Sequence, residues 1–256
     1  MPDTGIVFIL GTAGSGKTVL NAVLRRYLSD QDIDVINVNL DPAVQKVPYT
    51  CEIDIREYID IQDIIDRYEL GPNGAMITAT DLVATEIASI KEDIDDFNAD
   101  AVLVDTPGQL EVFVYRNSGP LIVSEFKREN TAALFLMDSN LVRTPSSWIS
   151  LNLLAISTQF RLGLPMFYAL TKVDLLQENE LENLERWNED IDLVLSDFTN
   201  EEISTVYSLS MNLVEAMKDF QANVPLIPVS ALKETGLEDV TGNLSRIWKK
   251  GDDWII

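Results

Sequence analysis

Four short segments of this chain carry residues suited to holding phosphate, a metal ion and a purine base. The first, Gly11-Thr12-Ala13-Gly14-Ser15-Gly16-Lys17-Thr18, has the spacing Gly-x4-Gly-Lys-Ser/Thr. Glycines there let the backbone curl, so that the amides of Gly14, Ser15, Gly16, Lys17, Thr18 and Val19 can face a polyphosphate. The positive end of the following helix dipole strengthens that attraction. Lys17 would reach the outer phosphates, and the Thr18 hydroxyl would ligate magnesium. The second segment is Asp105-Thr106-Pro107-Gly108-Gln109-Leu110-Glu111. Its aspartate can hold a magnesium-bound water, the Gly108 amide can approach a terminal phosphate, and the Gln109 amide can orient an attacking water.

The third segment, Thr171-Lys172-Val173-Asp174, has the make-up of a base reader. Asp174 can accept two hydrogen bonds from guanine, at N1–H and the 2-amino group, while the Lys172 stem packs across the ring. Adenine lacks both donors, so a site built for guanine leaves polar groups unpaired against it. The fourth, Ser230-Ala231-Leu232-Lys233, offers backbone groups to the guanine oxygen and ring edge. Asp41 stands apart from these. As a carboxylate at a strand end it is a candidate for metal-bound or attacking water. It could equally begin an ordinary turn before Pro42.

Each segment needs an element to aim it. Ile6–Leu10, Val35–Leu40, Ala101–Val104, Thr131–Met137, Pro165–Leu170 and Pro225–Val229 read as short buried strands, and the four segments and Asp41 follow five of them. Helical spacing follows the phosphate loop, with Val19, Leu20, Val23, Leu24, Tyr27 and Leu28 on one face. Asp54–Leu70 reads as helix up to Gly71-Pro72-Asn73-Gly74, a run of turn formers. Val83, Ile87, Ile90 and Ile94 mark another helix. Thr144-Pro145 looks like a helix cap followed by proline at the first helical position. Residues from Gln177 to Asn223 are acidic and helical, and Val240, Leu244, Ile247 and Trp248 suggest a closing helix. On composition alone, Gly71-Pro72-Asn73 is merely a connection between helices.

Bulk composition narrows the chemistry. The chain has 42 Asp and Glu against 19 Lys and Arg over 256 residues, a formal charge of −23. Such a surface repels nucleic acid. With no histidine and a single cysteine, Cys51, histidine acid–base catalysis, cysteine-built metal sites and an intramolecular disulfide are excluded. Catalysis must rest on carboxylates, amides, Lys17 and a metal. No apolar run approaches the roughly eighteen residues of a membrane span, and the start lacks a basic then apolar leader, so a cytoplasmic location is expected.

Taken in order, the phosphate loop, Gly71-Pro72-Asn73, Asp-Thr-Pro-Gly-Gln, Thr-Lys-Val-Asp and Ser-Ala-Leu-Lys resemble the signature of the GPN-loop GTPases over essentially the whole chain. That resemblance implies an α/β, three-layer P-loop NTPase fold, with a mostly parallel sheet flanked by helices. Residues 1–256 would form one domain, with a GPN-loop insertion at about 42–99 and a helical insertion at about 177–223. It implies magnesium-dependent hydrolysis of GTP to GDP and phosphate. It also implies a homodimer in which Gly71 and Asn73 of one subunit reach the partner's site. Asp41, Asp105, Gln109 and Glu111 resemble the residues that place magnesium and water. A client role in assembling an RNA-polymerase-like complex follows only by analogy. Two alternatives remain: a dimeric ATPase of the partitioning or metal-insertion kind, and a nucleotide-binding scaffold with little turnover. The ATPases often carry lysine second in the phosphate loop, where this chain has Thr12, and they lack Thr-Lys-x-Asp.

Overall fold

The computed structural model describes residues 4–127, 129–198, 205–221 and 224–248. Seven parallel strands form one sheet: β1 (Gly5–Gly11), β2 (Val35–Asn39), β3 (Ile53–Asp54), β4 (Ala101–Asp105), β5 (Thr131–Asp138), β6 (Met166–Thr171) and β7 (Leu226–Val229), in the order β3-β2-β4-β1-β5-β6-β7. Buried on both faces, their apolar residues run nearly continuously instead of alternating with polar ones. Alternation instead sorts them between two cores. Ile6, Phe8 and Leu10 face one core with Val102, Val104, Ala133 and Phe135. Val7 and Ile9 face the other with Leu103, Ala132 and Leu134.

The second core is covered by α1 (Lys17–Ser29) and α10 (Leu237–Trp248), which contribute Leu20, Leu24, Leu28, Val240 and Leu244. The opposite face carries α2 (Ile61–Tyr68), α3 (Pro72–Phe97), α4 (Leu110–Val114), α5 (Ser118–Phe126), α6 (Pro145–Leu162), α7 (Glu178–Glu189), α8 (Asp192–Ser196) and α9 (Thr205–Gln221). Thr144 caps α6, with Pro145 at its first position, as the sequence predicts. Helices lie on both faces of a parallel sheet, the expected three-layer α/β architecture.

Four local expectations are corrected. Val19 is 52% exposed and does not share the buried face of α1, which carries Lys17, Leu20, Asn21, Leu24 and Leu28. The stretch from Asp54 to Leu70 is not one helix. Ile53 and Asp54 pair with Val38 and Asn39, a 3-10 turn spans Ile55–Glu57, and Asp60 caps the short α2. The Asp60 carboxylate accepts from the Gln62 amide, making a fresh helix start more favourable there than a continuous helix. The third correction concerns Gly71-Pro72-Asn73-Gly74. Only Gly71 stands outside a helix, as the cap of α3, while Pro72 occupies its first turn. Proline lacks an amide hydrogen that the first helical turn would leave unpaired anyway, so this run opens a helix rather than ending one. Finally, α4 and α5 lie where no helix is read from the residues alone. The acidic insertion resolves into α7, α8 and α9; its residues 199–204 and 222–223 fall outside the described residues.

Candidate functional site

In a parallel sheet, ligand sites form beyond the carboxyl ends of strands where successive connections diverge to opposite sides. Here β1 lies between β4 and β5, and the chain leaves β1 for β2 on one side and later returns to β5 on the other. The phosphate loop occupies that crevice. Gly11, Gly14 and Gly16 all take positive φ, at 148°, 78° and 98°. At Gly11 a Cβ would lie 2.6 Å from Ser15 Oγ and 2.8 Å from Leu136 O, so a side chain there is excluded on contact as well as conformation. Gly16 caps α1, and Lys17 is its first residue. The buried Lys17 ammonium donates to Gly11 O at 2.9 Å and Thr12 O at 3.1 Å. Burial lowers its pKa, while the Asp105 and Asp41 carboxylates oppose that fall.

Asp105 ends β4 with only 2% of its surface exposed. Burial pushes its carboxyl up to about 6, against the Thr18 and Tyr49 hydroxyls and the Lys17 charge, which favour the ionised form; Asp41 adds to the rise. Tyr49 donates to Asp105 Oδ2 at 2.9 Å, whereas Oδ1 has no hydrogen-bond partner among the described residues. Asp41 lies just beyond β2. Its Oδ2 accepts from the Gly108 amide at 3.2 Å, its Oδ1 from Ala43 N at 2.9 Å, and its own amide donates to Asn39 Oδ1 at 3.0 Å. Thr106 anchors the same corner by donating to Ile9 O at 2.7 Å.

These residues fit a magnesium ion of the kind that shares its coordination with phosphates and water. The donors are hard oxygens, from Thr18, Asp41 and Asp105, and a buried carboxylate oxygen lacks a partner. Among the described residues no group of three or more carboxylate, histidine or cysteine side chains could hold a metal by itself.

The segment Thr171-Lys172-Val173-Asp174 is bonded directly to the phosphate loop. Thr171 donates to Ser15 O at 2.8 Å, and Lys172 donates to Gly14 O at 2.6 Å and to Asp138 Oδ2 at 2.7 Å. Lys172 takes the left-handed conformation with φ 61°, turning the chain sharply after β6 so that Asp174 faces the next strand end. There Ser230 Oγ donates to Asp174 Oδ1 and accepts from the Lys233 amide at 3.1 Å. Leu232 is 83% exposed beside the half-buried Ala231.

The structure therefore gathers Gly14, Ser15, Gly16, Lys17, Thr18, Asp41, Asp105 and Gly108 at one crevice, with Thr171, Lys172, Asp174 and Ser230 continuing from it. Gln109 is half-buried at the start of α4, and Glu111 in its first turn is exposed. Gly71, Pro72 and Asn73 are exposed at the head of α3, with no hydrogen bond to the crevice among the described residues. Sequence reasoning missed Tyr49 and Asp138. A tyrosine in a loop carries no spacing signal. Asp138, at the tip of β5, follows the strand-end rule that singled out Asp41 and was open to the same inference.

Strand, glycine loop, helix and a carboxylate on the neighbouring strand tip together define a P-loop nucleotide-binding protein. The comparisons with known proteins are narrower. A family described as conserved hypothetical ATP binding protein matches residues 9–249. GPN-loop GTPase PAB0955 of Pyrococcus abyssi is 32% identical over 237 residues, covering 92% of this chain and 94% of that protein. GPN-loop GTPase 1 of Dictyostelium discoideum is 31% identical over 237 residues, and the chain spans 59% of its length. The crystal structure of PAB0955, described as a GTPase in apo form, superposes with a TM-score of 0.86 at 31% identity, covering 96% of this chain and 98% of that one. The chain belongs to the GPN-loop GTPase family.

Proposed function

We propose that this protein hydrolyses GTP to GDP and phosphate with magnesium, as a homodimer whose shape follows the nucleotide state. The observation that carries the reading is the pair of hydrogen bonds from Thr171 and Lys172 to the phosphate loop. They tie Thr171-Lys172-Val173-Asp174 to the phosphate loop, which supports reading the two as one nucleotide site. The amides of Gly14 to Val19 bind phosphate oxygens, Lys17 offsets charge on the outer phosphates, and Asp174 accepts from N1–H and the 2-amino group of guanine. The backbone of Ser230, Ala231 and Leu232 meets the base edge. Thr18, Asp41 and Asp105 hold the metal side, and Gly108 approaches the terminal phosphate. Gln109 and Glu111 orient the attacking water. Bound magnesium supplies neutralisation of the charge that builds on the phosphates.

Support for the dimer comes from the head of α3. Gly71, Pro72 and Asn73 are exposed, and the first amides of a helix favour an anion. Presented to a second copy, Asn73 and the Gly71 backbone contact the phosphate or water there. The boundaries of the reading are one P-loop domain with insertions at about 42–99 and 177–223. The protein works in the cytoplasm and acts on the assembly of protein complexes. No helix of the described residues is long and apolar enough to cross a membrane.

An ATPase reading has one observation in its favour, the description of the matching family as ATP binding. Displacement of a fluorescent GDP analogue decides between them. GTP should outcompete ATP by on the order of 10²-fold or more, since unpaired polar groups reject the wrong base. Asp174→Asn should lose affinity for GTP and gain it for xanthosine triphosphate, whose 2-carbonyl accepts from the new amide. Equal displacement by ATP and GTP refutes the guanine reading.

A further inference from the structure

We propose that Tyr49 is a positioning residue for this site, fixing the Asp105 carboxylate with one oxygen committed and the other free for the metal side. The inference rests on the reading of Asp105 as a magnesium-side carboxylate. Tyr49 donates to Asp105 Oδ2 at 2.9 Å, and Oδ1 has no hydrogen-bond partner among the described residues. A carboxylate with both oxygens free can rotate between equivalent poses, whereas one held through Oδ2 presents Oδ1 alone. A partner of this kind governs how well a ligating group is oriented.

The segment that follows Tyr49 is held in place from two directions. From α1, Arg25 donates to Thr50 O and grips both carboxylate oxygens of Glu52, each contact at 2.6 Å. Glu52 also accepts from the Asn37 amide at 2.9 Å, and its own amide donates to Asn37 O at 3.1 Å. The strap from Tyr49 to Glu52 is therefore pinned to both α1 and β2. An aromatic residue that served only to fill space would need neither a buried carboxylate partner nor this anchorage.

The test measures metal affinity directly. Purified protein is loaded with GDP, and Mn2+ is titrated while free Mn2+ is followed by electron paramagnetic resonance. Tyr49→Phe keeps the ring and removes the hydroxyl. It should raise the Mn2+ dissociation constant about 10-fold, the lower end of what losing such a partner does. GDP affinity in EDTA should stay within about twofold of wild type, which a general loss of structure would not allow. Arg25→Gln leaves the hydroxyl in place and loosens the strap, so it should raise the constant by a smaller factor; it also decides the matter if Tyr49→Phe fails to fold. Asp105→Asn is the control. If it weakens Mn2+ binding while Tyr49→Phe and Arg25→Gln do not, the role of Tyr49 is wrong and the metal reading stands. If Asp105→Asn also leaves Mn2+ affinity unchanged, the metal reading itself fails.

Discussion

Asp105 is destabilising in the metal-free, nucleotide-free protein, and removing its charge should make the fold stronger. Its carboxyl is 2% exposed and pushed from the ordinary 3.8 to about 6, so solvent screening does not dilute the effect. Each tenfold difference in acidity corresponds to about 1.4 kcal/mol, so the ionised form costs the native state about 3 kcal/mol relative to the protonated one. The sign follows from proton counts. Between pH 4 and 6 the native state binds more protons than the unfolded chain, so stability falls as pH rises through that window and is level above it. Asp105→Asn can still accept from Tyr49 but carries no charge. In EDTA at pH 7.5 it should gain about 3 kcal/mol in urea unfolding, and the gain should shrink toward zero near pH 4. Equal or lower stability of Asp105→Asn at pH 7.5, or a gain independent of pH, would refute the argument that burial outweighs the local donors. On the proposed reading of Asp105 as a metal-side group, function and stability are in opposition at this carboxylate.

Three further substitutions test other parts of the molecule. Asn73→Ala and Gln109→Leu should each slow GTP hydrolysis by on the order of 10²-fold in single-turnover phosphate release, while leaving GTP affinity near wild type. An Asn73→Ala protein that turns over normally would remove the cross-subunit role. Gly119→Ala should cost upward of about 3 kcal/mol of stability, because a Cβ there would lie 1.7 Å from Phe113 O, a backbone atom with little room to retreat. An unchanged urea midpoint would show that α4 and α5 can separate at no cost.

The parts legible in the sequence were those where chemistry and periodicity coincide. Gly11, Gly14 and Gly16 follow an apolar run and precede a helical one, and Asp105, Thr171 and Ser230 each end or follow a buried strand. A seven-stranded parallel sheet leaves just such marks, because both faces must be apolar. What stayed hidden was set by tertiary contacts. Ile53 and Asp54 form too short a strand to show a period, and they pair only because the segment returns to β2. In α5, Gly119 is needed for close approach to Phe113 and Pro120 sits in the first turn, demands that only the packed structure shows. The helix opening at Pro72 reads as a turn when the chain is judged by composition rather than by position. Tyr49 owes its place to Asp105, which lies far off in sequence, so no local pattern could reveal it.

The bond from Lys172 to Gly14 O has a bearing on how such a protein can change over time. Were the base reader and the phosphate grip separate modules, one could drift toward a new nucleotide while the other kept its hold. On the proposed reading they share Lys172, and a substitution that retunes selectivity at that position also slackens the phosphate loop. A lineage abandoning guanine through Lys172 would pass through forms that bind every nucleotide poorly. The easier route runs through Asp174, which on the proposed reading meets the base and has no hydrogen bond to the phosphate loop among the described residues.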